Sequence, residues 1–385
     1  MPRSTAAAFC IVLLVSCAPA RVSDQRSAYA RRKSGPLQIA LVWPLAAYHD
    51  LIGEGVRLAV DEINGRGGVL GRPLELMTED DNAEVEKGLL LAETLADNPR
   101  VMAVIGHSDS SVSLSVALAY ETNNLIMFSP ASTSPELTEK GYAYVFRNVP
   151  TDELIGRAAA ELCAEKGLSS VAIVYSEDSY GLGLANAFER RTHELEIKAA
   201  DRRSFSEGRP AEMEYILDQL QLYDVDGFFF AGPIDAGAVF LEKVRERGYG
   251  EPVIAGNTLD SLRLLEMPPD VTKNLFIITT YNPYSGRQES LDFSTAFLKA
   301  YNHVPDSWAA LGYDAVGVLA LAMENAGSAD PVKAAPALHA VRDYRGVTGI
   351  HTFDENGDVK DKTVVVKFLE KGVFKYADLK RAVEE

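Results

Sequence analysis

Between residues 37 and 280 the chain alternates short apolar runs with helical patterns, and it runs through that alternation twice. Apolar runs at 37–42, 74–77, 101–105, 125–128 and 144–147 enclose helical stretches at 53–64, 85–96 and after Ser111. A polar break at 148–153, with Pro150 inside it, ends the first series. The second series has runs at 171–175, 196–200, 227–230, 252–255 and 275–280, with helical stretches at 182–194, 213–222 and 236–246. Strands separated by helices of 10–15 residues pair in parallel, because each helix carries the chain back to the same edge. The restart therefore predicts an α/β protein of two Rossmann-like lobes with parallel sheets. Helices around 293–301 and 308–325 complete the first lobe if the chain returns to it near Tyr281. A β-rich tail at 363–368 and 373–376 finishes the second after a crossing near 346–353. Three crossovers make a hinge, and the cleft between two such lobes is where a small ligand binds. The expected division is 1–17 leader, 18–35 flexible tether, 36–149 with 281–347 first lobe, and 150–280 with 348–385 second lobe.

The leader has Arg3, an apolar core at 6–15, and Leu14-Val15-Ser16-Cys17 at its end. Small residues before a cysteine resemble the bacterial lipobox, in which the cysteine becomes the lipidated first residue of the mature protein. An ordinary signal peptide cut after Ala20 is the alternative. The apolar core is shorter than the ~20 residues a membrane span needs. Residues 18–35, polar and rich in arginine, have no apolar period and predict a flexible tether. Residues 1–16 carry Arg3 as their one charge, so their removal takes the net charge from −17 to −18. Such an acidic chain excludes nucleic-acid binding, which needs a basic face. Of the three cysteines only Cys163 lies in the globule, so no intrachain disulfide forms there.

Residues 101–135 carry the best site signal. Two apolar runs end in hydroxyl-rich loops, Ser108–Ser111 and Ser129–Ser134. In a β-loop-α-β-loop unit both loops lie at the same end of neighbouring strands. Their backbone amides and hydroxyls then converge on one spot, a setting suited to a carboxylate. Helix capping by the same residues is the competing account.

Other motifs argue against different chemistry. Gly65–Gly71 follows a helix rather than a strand, so it reads as a helix C-cap and tight turn instead of a phosphate loop. Glu79-Asp80-Asp81-Asn82 sits between a strand and a helix, where carboxylates complement the helix N-terminus. Asp354–Asp358 starts like a calcium loop but lacks the later glycine and glutamate. The six histidines are scattered, and no Gly-x-Ser-x-Gly elbow occurs. His107 reads as a loop histidine beside the site. No enzyme, no metal and no cofactor is expected.

The ordered marks Asp61-Glu62-Ile63-Asn64, GRGGVLGRPLEL, VIGH at 104–107, SPASTSPELTEKGY at 129–142, Tyr180-Gly181-Leu182-Gly183, Tyr313-Asp314-Ala315 and Gly349…Phe353-Asp354…Gly357-Asp358 resemble those of type I periplasmic binding proteins. More narrowly the chain is similar to the leucine/isoleucine/valine-binding receptors of ABC importers. The resemblance implies that Ser110 and Thr133 hold a ligand carboxylate, within loops that include Ala131 and Ser132. It implies that the Ala131 carbonyl, Thr133 and a second-lobe acid meet an ammonium. Tyr48 and Tyr180 close over the ligand, and Trp308 forms an aromatic wall. The chain departs from the pattern at 256–260: Thr258 occupies the acid's place and Asp260 falls two residues late. The implied function is a lipid-anchored extracytoplasmic solute-binding protein, partnered by an ABC permease and binding an amino acid or related carboxylate by hinge closure. The alternative is a ligand-sensing receptor of the same fold, coupled to a signalling partner.

Overall fold

Residues 37–42 are buried at every position, as a strand covered by helices on both faces must be. They form β1 (Leu37–Val42), an inner strand of a five-stranded parallel sheet in a computed structural model that describes residues 21–379, apart from 47, 49 and 207. The leader, Cys17 and Ala20 lie outside the described residues. The other strands are β2 (Leu74–Glu79), β3 (Val101–Ile105), β4 (Ile126–Ser129) and β5 (Val145–Arg147), in the order β2-β1-β3-β4-β5. The helices α2 (Ile52–Gly65), α3 (Val85–Ala96), α4 (Ser110–Thr122) and the short α5 (Glu136–Glu139) connect them. Because β2 and β3 flank β1 on opposite sides, the loops after β1 and β3 diverge and leave a crevice at the strands' C-terminal ends.

The second lobe repeats the plan. Its strands β6 (Ser170–Ser176), β7 (Lys198–Phe205), β8 (Gly227–Ala231), β9 (Val253–Ala255) and β10 (Leu275–Thr279) run parallel in the order β7-β6-β8-β9-β10. Their switch point lies between β6 and β8. Helices α6 (Asp152–Glu165), α7 (Ser179–Glu194), α8 (Pro210–Leu220) and α9 (Ile234–Glu246) cover the sheet. After β10 the chain returns to the first lobe at Tyr281, whose ring meets Phe293 edge-on at 6.1 Å. There α10 (Gln288–Tyr301), α11 (Ser307–Asn325) and α12 (Pro331–His339) follow. Gly55 of α2 lets α11 approach so closely that a Cβ there would overlap the Ala309 backbone. A hairpin of β11 (Tyr344–Gly346) and β12 (Gly349–His351) comes next. The chain then ends in β13 (Val365–Glu370) and β14 (Val373–Asp378), an antiparallel pair added beside β10. The second sheet is therefore mixed at one edge.

Two expectations need correction. The third crossing comes later than residues 346–353: Phe353 and Val359 are core residues of the first lobe, and Asp358 pairs with the buried Arg147. Residues 348–359 thus pack with the first lobe. The expected tether is also partly folded, since Val22–Ala30 is a helix, α1. Its anchor is Arg26, 1% exposed, whose guanidinium donates to the carbonyls of Val101 at 2.8 Å, Asn123 at 2.7 Å and Ala96 at 2.5 Å. Arg72 ties the helix end through the carbonyls of Ala30 at 3.0 Å and Gly35 at 2.8 Å. The sequence pattern concealed this because the helix has no apolar stripe: Arg26 docks it through carbonyls, with Tyr29 and Ala30 entering the core at its end. Burial brings the Arg26 pKa down to about 10, against the pull of Asp330 and Asp97.

Candidate functional site

The loops that leave both sheets at their C-terminal ends face one another across a cleft of about 660 Å³, open mouth included. On the first lobe the chain leaves β1 through Trp43, whose indole N–H donates to Asp50 at 2.9 Å. This fixes the turn that carries Tyr48 and Asp50 to the rim. After β3, Asp109 caps α4 by accepting from the amides of Ser111 at 2.8 Å and Val112 at 3.0 Å. Ser108, Asp109 and Ser110 all line the cleft, and the Ser110 hydroxyl has no partner among the described residues. Burial is the main reason the Asp109 carboxyl is pushed up to about 6, with the amide of Val112 opposing it. After β4, Ala131 reaches the same wall.

A seam beneath these two loops holds them together. The His107 carbonyl accepts from the hydroxyls of Ser129 at 2.9 Å, Ser132 at 3.2 Å and Ser113 at 3.2 Å. The His107 ring is wholly buried, 2.6 Å from Asp81 and 3.0 Å from the Tyr120 hydroxyl. His107 is thus a buried prop for the loops, and Asp81 of the acidic 79–82 loop is its partner.

On the second lobe Asp178 caps α7 through the Gly181 amide at 2.7 Å and lines the cleft. The Tyr180 hydroxyl lies 3.0 Å from Thr258 Oγ1 and 3.3 Å from Asn257 Oδ1. Thr258 in turn donates to the Gly232 carbonyl at 2.7 Å. Burial pushes the Tyr180 phenol well above its usual range, so it stays neutral. Gly256 packs directly behind it, where a Cβ would overlap the Tyr180 hydroxyl. Pro233, Ile234 and Ser261 complete this side, and Trp308, at the start of α11, closes the end. Across the mouth the Ser179 amide reaches Ser111 Oγ at 3.4 Å.

Of the residues singled out in the sequence, Tyr48, Ser110, Ala131, Tyr180, Thr258 and Trp308 converge on this cleft. Ser132, Thr133 and Asp260 do not line it. The Ser132 hydroxyl sits in the seam, 2.5 Å from Ser113 Oγ. The Thr133 hydroxyl donates to Asp152 at 2.5 Å, in the first crossover. Burial lifts Asp152 to about 7, while the Thr133 bond and the Arg147 charge act the other way. Asp260 was expected to meet an ammonium. It is instead fully buried, paired with Lys367 and accepting from Thr279 Oγ1 and Ser307 Oγ at 2.5 Å each. Its main-chain carbonyl receives the Trp308 indole at 2.8 Å. Both carboxylate oxygens are occupied, so Asp260 ties the end of β10 to β13 and the start of α11 and holds the aromatic wall. The sequence reading assigned no ligand role to Asp50, Asp109, Asp178, Ser108, Pro233, Ile234 or Ser261. The two capping aspartates carried a usable signal: each precedes a helix at the C-terminal end of a switch-point strand. Among the described residues that line the cleft, the charged groups are the carboxylates of Asp50, Asp109 and Asp178.

The family model of the periplasmic binding proteins matches residues 36–372, and the chain belongs to that family. Among its relatives is the leucine-, isoleucine-, valine-, threonine-, and alanine-binding protein of Pseudomonas aeruginosa, 28% identical over 83% of this chain and 84% of its own length. An ABC transporter substrate-binding protein of Desulfitobacterium hafniense, solved in complex with Leu, is 40% identical with a TM-score of 0.80, covering 89% of this chain and all of that one. The leucine binding protein LivK of Thermotoga maritima is 28% identical with a TM-score of 0.81, covering 89% and 97%. These relatives are solute-binding proteins rather than enzymes. Among the described residues no helix is long and apolar enough to cross a membrane.

Proposed function

We propose that this chain is the extracytoplasmic receptor of an ABC importer, lipid-anchored through Cys17, and that it closes its lobes around an aliphatic α-amino acid of the leucine, isoleucine and valine class. One observation carries the reading: the cleft sets an uncommitted serine hydroxyl at a helix N-terminus opposite second-lobe carboxylate and phenol groups, with aliphatic and aromatic walls between. Ser110, at the first turn of α4, suits the ligand carboxylate, since a helix N-terminus favours negative charge. The ammonium needs an anion and a carbonyl. Asp178 supplies the second-lobe acid absent at Thr258, and the carbonyl of Ala131 supplies a neutral acceptor. Tyr48, Ile234, Pro233 and Trp308 give the side chain an apolar enclosure, worth about 25 cal/mol for each Å² removed from water. A ligand that touches both rims favours the closed arrangement by its extra contacts there.

Calorimetry with three compounds tests this. L-leucine is expected to bind. Its 2-oxo analogue, which lacks the ammonium, and leucinol, which lacks the carboxylate, are expected to bind at least tenfold more weakly, because each leaves a buried polar partner unmatched. Equal binding of all three, or no response to any aliphatic amino acid, rejects the assignment.

A further inference from the structure

The helix that replaces the expected tether gathers positive charge at one end of a strongly acidic molecule. Residues 21–33 hold Arg21, Arg26, Arg31, Arg32 and Lys33 against Asp24 alone, in a chain whose net charge is −17. Arg26 is consumed by its carbonyl bonds. Arg21, Arg31, Arg32 and Lys33 are exposed, and no ion pair engages them among the described residues. The Arg32 guanidinium lies over the Tyr29 ring, 4.8 Å from its centre. Exposed Arg100 stands beside the same ring, 6.0 Å away, and shares a surface ion pair with Glu75 at 3.3 Å. The nearby acids Asp97 and Asp330 face the buried Arg26.

Position matters as much as charge. Arg26 reaches the first residue of β3, the end of α3 and the residue after α4. This is the N-terminal base of the first sheet. The cleft lies at the opposite end, beyond the length of β3, about 17 Å for its five residues.

We propose that the exposed basic residues flanking α1, Arg21 before it and Arg31, Arg32 and Lys33 after it, dock on an anionic lipid bilayer and hold the base of the first lobe against the headgroups, with the cleft turned away. The proposal draws its reach from the acylation of Cys17 given above. From Cys17 to Val22 a fully extended chain spans about 18 Å. An acylated Cys17 therefore keeps α1 within roughly two screening lengths of the surface at physiological salt. One acyl signal and one polybasic face are the pair that gives stable rather than transient attachment.

Vesicle flotation tests the face without the lipid. The probe is the mature chain, residues 17–385, carrying Cys17→Ser, mixed with vesicles of phosphatidylcholine alone or of phosphatidylcholine with phosphatidylglycerol. Expected is flotation with the anionic vesicles only, abolished at about 0.5 M salt by screening. The R21Q/R31Q/K33Q variant should bind these vesicles at least tenfold more weakly and bind leucine as before. No flotation with anionic vesicles, equal flotation with both compositions, or undiminished flotation of the variant overturns the proposal. Palmitate labelling of the unaltered chain tests acylation separately. Failure to label, with anionic flotation intact, upholds the face and removes only the anchor.

Discussion

The two rims of the cleft are built from the same parts and use them differently. Each has a strand end, a capping aspartate and a helix N-terminus: Asp109 with α4 on the first lobe, Asp178 with α7 on the second. On the first rim the Ser110 hydroxyl is left uncommitted while serines beneath it are bonded to His107. On the second rim the polar groups are tied to one another, Tyr180 to Thr258 and Thr258 to Gly232. Behind that rim the deeply buried carboxylate of Asp260 faces Lys367. The first rim leaves a hydroxyl open toward the cleft, whereas on the second rim, Asp178 apart, the polar groups hold a fixed shape. Internal satisfaction lowers a group's appetite for a ligand and raises its value as structure.

Substitutions that separate affinity from stability test that contrast. Lys367→Met leaves Asp260 buried without its cation, and should lower unfolding stability by about 3–5 kcal/mol in denaturant titrations. A loss under about 1 kcal/mol would mean that the pair is not the brace inferred here. Ser110→Ala should do the reverse: leucine affinity falls by about 1–3 kcal/mol in calorimetry, and unfolding is unchanged within about 0.5 kcal/mol. Unaltered affinity would remove the first rim's claim on the carboxylate. Thr133→Ala strands Asp152 and should cost about 1–2 kcal/mol of stability, with a smaller change in affinity. A variant that binds poorly but unfolds normally would return Thr133 to the ligand's contacts.

The mildest test is pH. The Asp109 carboxyl is raised from an ordinary value near 3.8 to about 6. The folded chain therefore keeps a proton that the unfolded chain gives up, and this group's contribution to stability declines as pH rises through that window. A ligand carboxylate at Ser110 meets a neutral neighbour at pH 5 and a charged one above pH 7. Leucine affinity should fall across that range by less than about tenfold, since one pKa unit corresponds to one factor of ten. Asp109→Asn should flatten the profile. A slope that persists in that variant assigns the dependence to another group.

The strand-helix alternation made both lobes readable, because buried parallel strands must be apolar throughout and their crossovers helical. Ser110 and Ala131 were readable too, since they follow neighbouring parallel strands, β3 and β4, in hydroxyl-rich loops. Asp260 was not. Its distance along the chain put it near the cleft, but the short 3-10 turn Asn257–Leu259 directs it inward, and no composition reports that direction. Asp178 was overlooked because a capping aspartate looks alike whether or not a cleft passes beside it. The late third crossing escaped notice because Phe353 and Val359 enter the first lobe's core as single residues, without a periodic run. Helix α1 escaped because it has no apolar stripe: a buried arginine fastens it, with Tyr29 and Ala30 at its end.

Gly256 bears on what ligands the cleft accepts. Its φ of −69° is open to any residue, so backbone freedom does not explain the glycine. A methyl group there would lie 2.5 Å from Leu184 Cδ2 and overlap the Tyr180 hydroxyl. The position works as a gauge set behind the wall. Any side chain placed at 256 would drive Tyr180 forward and narrow the cleft, changing the admitted ligand size without altering a single residue that the ligand touches.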